Sequence, residues 1–175
     1  SELAARDASF THNRTGIYGT MFIAAIISCA QVMKNKEEII RTALKYVPQK
    51  SRFFVRSKIC LEEILKASDW EDGYKKINNI LNEYGHCRIY QEIGMMINSF
   101  LFANNIYEGI CIQVSQGADT DSFGASVGSL MGCYYGPEGL DKKWLEIFND
   151  DIHTGMAWFF ERSVSNLAKR MGRLP

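Results

Sequence analysis

Glycines at 124, 128, 132 and 136 recur every fourth residue in the stretch SFGASVGSLMGCYYG, residues 122 to 136. Four residues is close to one helical turn, so the spacing lines the glycines along one face. It predicts a side-chain-free groove where a second helix can approach closely. Directly before it, Asp119 and Asp121 flank Thr120, and Ser122 follows. An apolar run from Tyr107 to Val114, interrupted by Glu108 and Gln113, leads in. This pattern predicts an acid turn at the N-terminus of a helix packed deep in a bundle. Carboxylates taken out of water need a neutralising partner, and a hard divalent cation with oxygen ligands provides one.

Helix capping is the competing explanation for the acids. An aspartate before a helix accepts hydrogen bonds from its free amides and suits the positive end of the dipole. One aspartate is fully explained that way. Two, separated by one residue and followed by a hydroxyl, exceed what a cap requires. Both readings stay open at this stage.

Proline occurs only at 48, 137 and 175, so the chain can run as long helices. About eight are expected. Ser1 to Ser9 reads as a helix end, and Gly16 to Met33 is apolar almost all round, as in a buried central helix. Lys36 to Tyr46 is amphipathic and stops at Pro48. Ser51 can cap a segment whose inward face is read as Phe54, Ile59, Leu61, Ile64 and Leu65. Ser68 or Asp69 can start the next, through Trp70, Tyr74, Ile77 and Leu81. Ile89 to Ala103 and Glu108 to Ser115 follow, then the glycine-spaced helix, a short helix through Trp144 and a terminal one from Asp150 to Met171. Met95, Met96, Phe100, Phe102, Phe159 and Phe160 read as core, and Lys34 to Glu38 as a solvated helix start. No strand alternation or internal repeat is present, so the fold class is all-α, with residues 1–175 forming one domain or a part of one.

Composition removes several functional classes. Lysine plus arginine balances aspartate plus glutamate, 20 against 20, which gives no electrostatic reason for nucleic acid or an anionic membrane as partner. The longest apolar run, Met21 to Ala30, is too short to span a bilayer. Five cysteines, at 29, 60, 87, 111 and 133, form no Cys-x-x-Cys pair, so neither a disulfide framework nor a zinc site is expected. A cytoplasmic setting is the expectation.

Gly117-Ala-Asp119-Thr-Asp121-Ser122, followed by x-Gly-Ala and the glycine-spaced helix, resembles the metal-binding signature near the C-terminus of ADP-ribosylglycohydrolases. Ser1 to Val32, centred on RDASFTHNRTGIYGTMFIAAIISCAQV, is similar to that family's middle motif, a Ser/Thr-His pair entering a Gly- and Ala-rich helix. Trp144 to Met171, with NDDIHTG, resembles the tail of a bacterial-type subgroup. The likeness spans essentially the whole chain.

What the resemblance implies is specific. The fold would be the C-terminal half of a compact orthogonal helical bundle. Asp119, Asp121 and Ser122 would bind Mg2+ or Mn2+, in a binuclear centre in the complete enzyme, with the two aspartates serving catalysis. Thr11, His12, Tyr18 and Gly117 would contact ADP-ribose, with Gly16 shaping the same wall. The pyrophosphate of that ligand suits helix N-termini and exposed amides. The family's early Thr-Asp-Asp ligand motif is not among these residues, so the remaining ligands would come from an N-terminal half. The implied reaction is hydrolysis of the N- or O-glycosidic bond at C1″ of ADP-ribosylated substrates. The rival is a non-catalytic ADP-ribose-like binder or a structural relative on the same scaffold. Gln91 to Met95 stands where a His- and Asn-bearing stretch is expected in the subgroup. A half-fold would leave apolar faces exposed, so self-association or pairing with the N-terminal half is expected. His86 and His153 have weaker cases: a helix end for the first, and the neighbourhood of capping Asp150 and Asp151 for the second.

Overall fold

A chain with so few prolines and no β alternation has backbone hydrogen bonds to satisfy within helices. The computed structural model describes residues 1–85 and 87–173, and its regular elements there are ten α-helices with a short 3-10 turn at Pro137–Gly139. They are α1 Glu2–Ala8, α2 Thr15–Ala30, α3 Lys36–Leu44, α4 Arg52–Ile64, α5 Trp70–Leu81, α6 Ile89–Phe102, α7 Ile106–Ser115, α8 Thr120–Tyr135, α9 Lys142–Phe148 and α10 Val164–Met171. The fold is all-α. Among the described residues no helix is long and apolar enough to cross a membrane. His86 lies outside the described residues.

The chain forms two compact units, Ser1–Gly139 and Leu140–Pro175. In the first, α6 is the central element. Its Ile93, Met95, Met96, Ile97 and Phe100 are buried, and it packs against α4, α5, α7 and α8. Phe22 and Ile26 of α2, Ile39 and Ile40 of α3, Phe53, Leu61 and Ile64 of α4, and Ile77 and Leu81 of α5 complete the core. Asn35, Ser51, Asp69 and Asn105 cap α3, α4, α5 and α7, each side chain accepting from an amide three residues on.

Several expectations change in detail. The buried face of α4 is Phe53, Ser57, Cys60, Leu61 and Ile64. Ile59 and Leu65 are exposed, so the inward stripe is rotated from the one expected. Lys36 is not a solvated helix start. It is half-buried with its ammonium 5.5 to 5.6 Å from the ring centres of Phe100, Tyr134 and Tyr135, and it donates to the Ala103 carbonyl. Cation–π attraction and that hydrogen bond join the start of α3 to the ends of α6 and α8. Desolvation lowers its pKa, opposed by Glu108.

The second unit contains α9 and α10. Residues 150 to 163 are not helical, so the long terminal helix is confined to Val164–Met171. Asn149, Asp150 and Trp158 have positive φ, which breaks helical continuity, and Asp151 bridges Ser163 in antiparallel fashion. Asp150 accepts from Ser163 Oγ (2.5 Å) and from the Ser165 amide (2.7 Å), supporting the start of α10. Asp151 instead pairs with Arg162. Phe160, expected in a core, is exposed.

The glycine stripe also acts differently from the expectation. Cβ atoms at Gly124 and Gly128 would sit 3.7 Å from Val114 and Ile110 of α7, ordinary contact, and one at Gly132 would meet nothing within 4 Å. The close approach is made from the other side, where a Cβ at Gly109 of α7 would lie 2.5 Å from Met131 Cε. Gly128→Ala is therefore expected to be neutral or to stabilise by up to about 1 kcal/mol through helix propensity. Gly109→Ala should cost about 1–3 kcal/mol through overpacking. Chemical denaturation of the two variants checks the pair, and equal effects would contradict this packing.

Candidate active site

Thr11 and His12 follow α1 at the entrance to α2. Thr11 Oγ1 lies 2.8 Å from His12 Nδ1, and both residues are exposed. A Cβ at Gly16 would come within 2.7 Å of His12 Cδ2, so the glycine leaves room for the imidazole against the first turn of α2. No side chain caps that turn, whose preceding residue is Arg14. The Gly16 amide bonds the Asn13 carbonyl at 3.1 Å, and no side chain accepts from the amides of that turn.

These residues line a cleft of about 1020 Å³ together with Tyr84, Cys87, Arg88, Tyr90 and Glu92. Tyr84 and Tyr90 stack with ring centres 4.1 Å apart, and Tyr90 Oη lies 3.3 Å from Thr15 Oγ1. The cleft thus combines aromatic surface, two arginines, an uncapped helix start and one carboxylate. That mixture suits a ligand with a flat ring and negative charge. Tyr18 does not line the cleft. Gly16, Thr20 and Ile23 present the lining face of α2, and Tyr18 falls outside it.

The acid turn lies beside this cleft through Cys87 and Glu92. Asp119 precedes α8 but its side chain makes no capping hydrogen bond. That separates it from Asn35, Ser51, Asp69, Asn105, Asp141 and Ser163, each of which caps its helix through its side chain. Asp119 instead influences Asp121 and Cys87. The Asp119 side chain, hydrogen-bonded to Asp121, and the amides of Ser122 and Asp121 hold the Asp121 carboxyl below the usual carboxylate range. The hydrogen bond to Asp119 is the main cause raising the Cys87 thiol. The expected deep burial of the acids is not found: Asp119 is half-buried, and Asp121 and Ser122 are exposed. They stand at a surface opening of unit 1 because α8 starts at its rim. Gly117 is the turn's conformational element. Its φ of 78° and that of Ala118, 62°, are left-handed, a region that glycine enters freely and alanine at a cost of about 1–2 kcal/mol.

Glu92 is the functional candidate that the sequence reading passes over. It is the only charged residue of α6, half-buried, lining the cleft and accepting from Ser126 Oγ at 3.0 Å. Burial pushes its carboxyl up, Asp119 adds to the effect, and the Ser126 hydrogen bond opposes it. A lone carboxylate in an apolar helix is a readable signal, but in a first turn the helix dipole accounts for it. Gln91, on the same turn, is buried and donates to the Tyr84 carbonyl at 3.0 Å. It fixes the aromatic wall from behind.

The carboxylates can be weighed against a metal on this geometry. Two oxygen-bearing acids lean on each other at an exposed turn, where like charges repel unless a proton or a cation lies between them. Oxygen donors suit Mg2+ or Mn2+. They fit one side of such an ion. Among the described residues no group of three or more His, Cys, Asp or Glu side chains could hold a metal ion.

The family model described as ADP-ribosylglycohydrolase matches residues 1–172. No curated protein and no solved structure gives a significant match.

Two outcomes are expected. Asn105→Ala, which removes a cap, should cost about 1 kcal/mol, whereas Asp119→Ala should change stability by no more than about 0.5 kcal/mol. Equal losses in urea unfolding would return Asp119 to a capping role. For Glu92, the folded-state pKa lies above the unfolded value, so its contribution is fully present below the unfolded carboxyl range. It is lost as pH rises through the folded value. Glu92→Gln should therefore raise Tm above wild type near neutral pH, with the advantage shrinking on acidification through the carboxyl range. A difference that is constant with pH would contradict this.

Proposed function

Because the chain belongs to the ADP-ribosylglycohydrolase family, we propose that it supplies the ligand cleft and one side of a Mg2+ or Mn2+ site for hydrolysis of ADP-ribosylated substrates. Family membership suggests a glycosyl hydrolase. The bond cleaved is the N- or O-glycosidic bond at C1″ of ADP-ribose. The observation that carries this reading is the state of Asp119: it stands at a helix start without a side-chain capping bond, half-buried and separated by one residue from Asp121.

Asp119 and Asp121 hold the cation, and Ser122 adds a hydroxyl from the same turn. A bound divalent ion supplies Lewis-acid polarisation and an ordered water for a reaction with an oxocarbenium-like transition state. The three side chains provide fewer than the about six oxygens that Mg2+ takes, so substrate, water or another segment completes the set. His12, held by Thr11, faces the ligand across the cleft as a contact. The start of α2, Arg14 and Arg88 attract the pyrophosphate. Tyr84 and Tyr90 offer the flat surface. Glu92, whose carboxyl is pushed up by burial, stands between the cleft and the acid turn.

Thermal unfolding with Mn2+ and ADP-ribose, separately and together, tests the proposal in wild type and in Asp119→Ala/Asp121→Ala. Ligand at about a hundred times its Kd should add about 2.7 kcal/mol, a rise in Tm of about 5–10 °C for a chain of this size. Loss of the Mn2+ shift in the double variant is the expected result. No Mn2+ shift in wild type would overturn the metal assignment. ADP-ribose binding without turnover on ADP-ribosylated substrates would support a non-catalytic binder.

A further inference from the structure

We propose that Gln116 is a positioning residue that sets the geometry of the acid turn through a buried amide network; this rests on reading Asp119 and Asp121 as the metal-facing groups. Gln116 ends α7 and is 2 % exposed. Its carboxamide is held at both ends by α6. Nε2 donates to Ser99 Oγ at 2.8 Å and to the Met95 carbonyl at 3.3 Å, and Oε1 accepts from Asn98 Nδ2 at 2.9 Å. Asn98 is itself fixed to α5, donating to the Trp70 carbonyl at 2.8 Å. Its Oδ1 would lie 2.1 Å from any Cβ at Gly73, so α5 closes against it only because that residue is glycine. Three helices therefore converge on the last residue before the left-handed pair Gly117 and Ala118.

Core stability alone is a poor account of this network. Asn98 Oδ1 and Gln113 Nε2 are buried without a partner, and an apolar filling of the same volume would leave neither. The arrangement gives a fixed anchor one residue from a turn that must hold an alanine in an unfavourable conformation. Displacing the Gln116 side chain frees that turn, and with it the separation of the Asp119 and Asp121 carboxylates. The network thus serves the acids as outer partners serve ligands elsewhere, by holding them rather than by touching the ion.

The test uses Gln116→Met, which keeps volume and removes the hydrogen bonds, and Ser99→Ala, which removes the hydroxyl that receives Gln116 Nε2 and itself bonds Gln113 Oε1. Amide hydrogen exchange is read at Gly117 and Phe123, which bracket the turn and bond to the Val114 and Asp119 carbonyls at 3.1 Å each. Mn2+ affinity is read by titration. In Gln116→Met, exchange at these two amides should rise about tenfold while that of Phe22 and Ile26 stays as in wild type, and Mn2+ affinity should fall about tenfold. Ser99→Ala should move both readouts in the same direction, and it decides the matter if Gln116→Met fails to fold. Unchanged exchange at the turn, or acceleration spread evenly over the core helices, overturns the proposal. Should wild type take up no Mn2+, the metal reading fails, and the exchange measurement by itself decides whether Gln116 positions the turn.

Discussion

Buried amides seek partners, and Asn98 Nδ2 and both ends of the Gln116 carboxamide find theirs across three helices. Asn98 joins the carbonyl of Trp70 on α5 to Gln116 at the end of α7, while Ser99 and Met95 of α6 receive the other end of Gln116. Apolar contacts can slide by an ångström at little cost. Directed hydrogen bonds in a low-dielectric interior cannot, because a lost partner leaves a desolvated polar atom behind. The relative setting of α5, α6 and α7 is thus specified at one point, and the acid turn emerges from that point. The glycines at 73 and 109 belong to the same economy of space: one admits Asn98, the other Met131.

From that anchor the site assembles on two sides. The Thr11-His12 pair and the open start of α2 form one wall, and the segment from Tyr84 to Glu92 forms another. Glu92 and Cys87 connect the cleft to Asp119, the first through its field and the second by a hydrogen bond. The half-buried Glu92 thus stands between the cleft and the exposed acid turn.

Much of this was legible in the order of residues. The helices from α3 to α8 lie where the periodicity and the Ser51, Asp69 and Pro48 signals put them, and the acid turn stands at the start of α8. Of the inward face of α4, Leu61 and Ile64 are buried as expected, whereas Phe53 and Phe54 are adjacent and both apolar, and packing against Phe22 selects the first. The stretch after Asp150 carries helix-compatible residues but lacks a buried face, so propensity had no tertiary support there. The glycine spacing predicts a helix packed against α8 without naming it; α7 is that helix, and the tight fit lies at its Gly109, since spacing says which face is smooth and not which partner intrudes.

The sequence by itself determined an all-α chain, an acid pair at a helix start, and a histidine at another, because each follows from local periodicity and residue chemistry. Tertiary structure decided that Asp119 is not spent on a cap, that Glu92 lines the cleft, and that Tyr18 does not. Those outcomes depend on distances between residues far apart in the chain, and burial and field at a carboxylate are set by neighbours that no local pattern names.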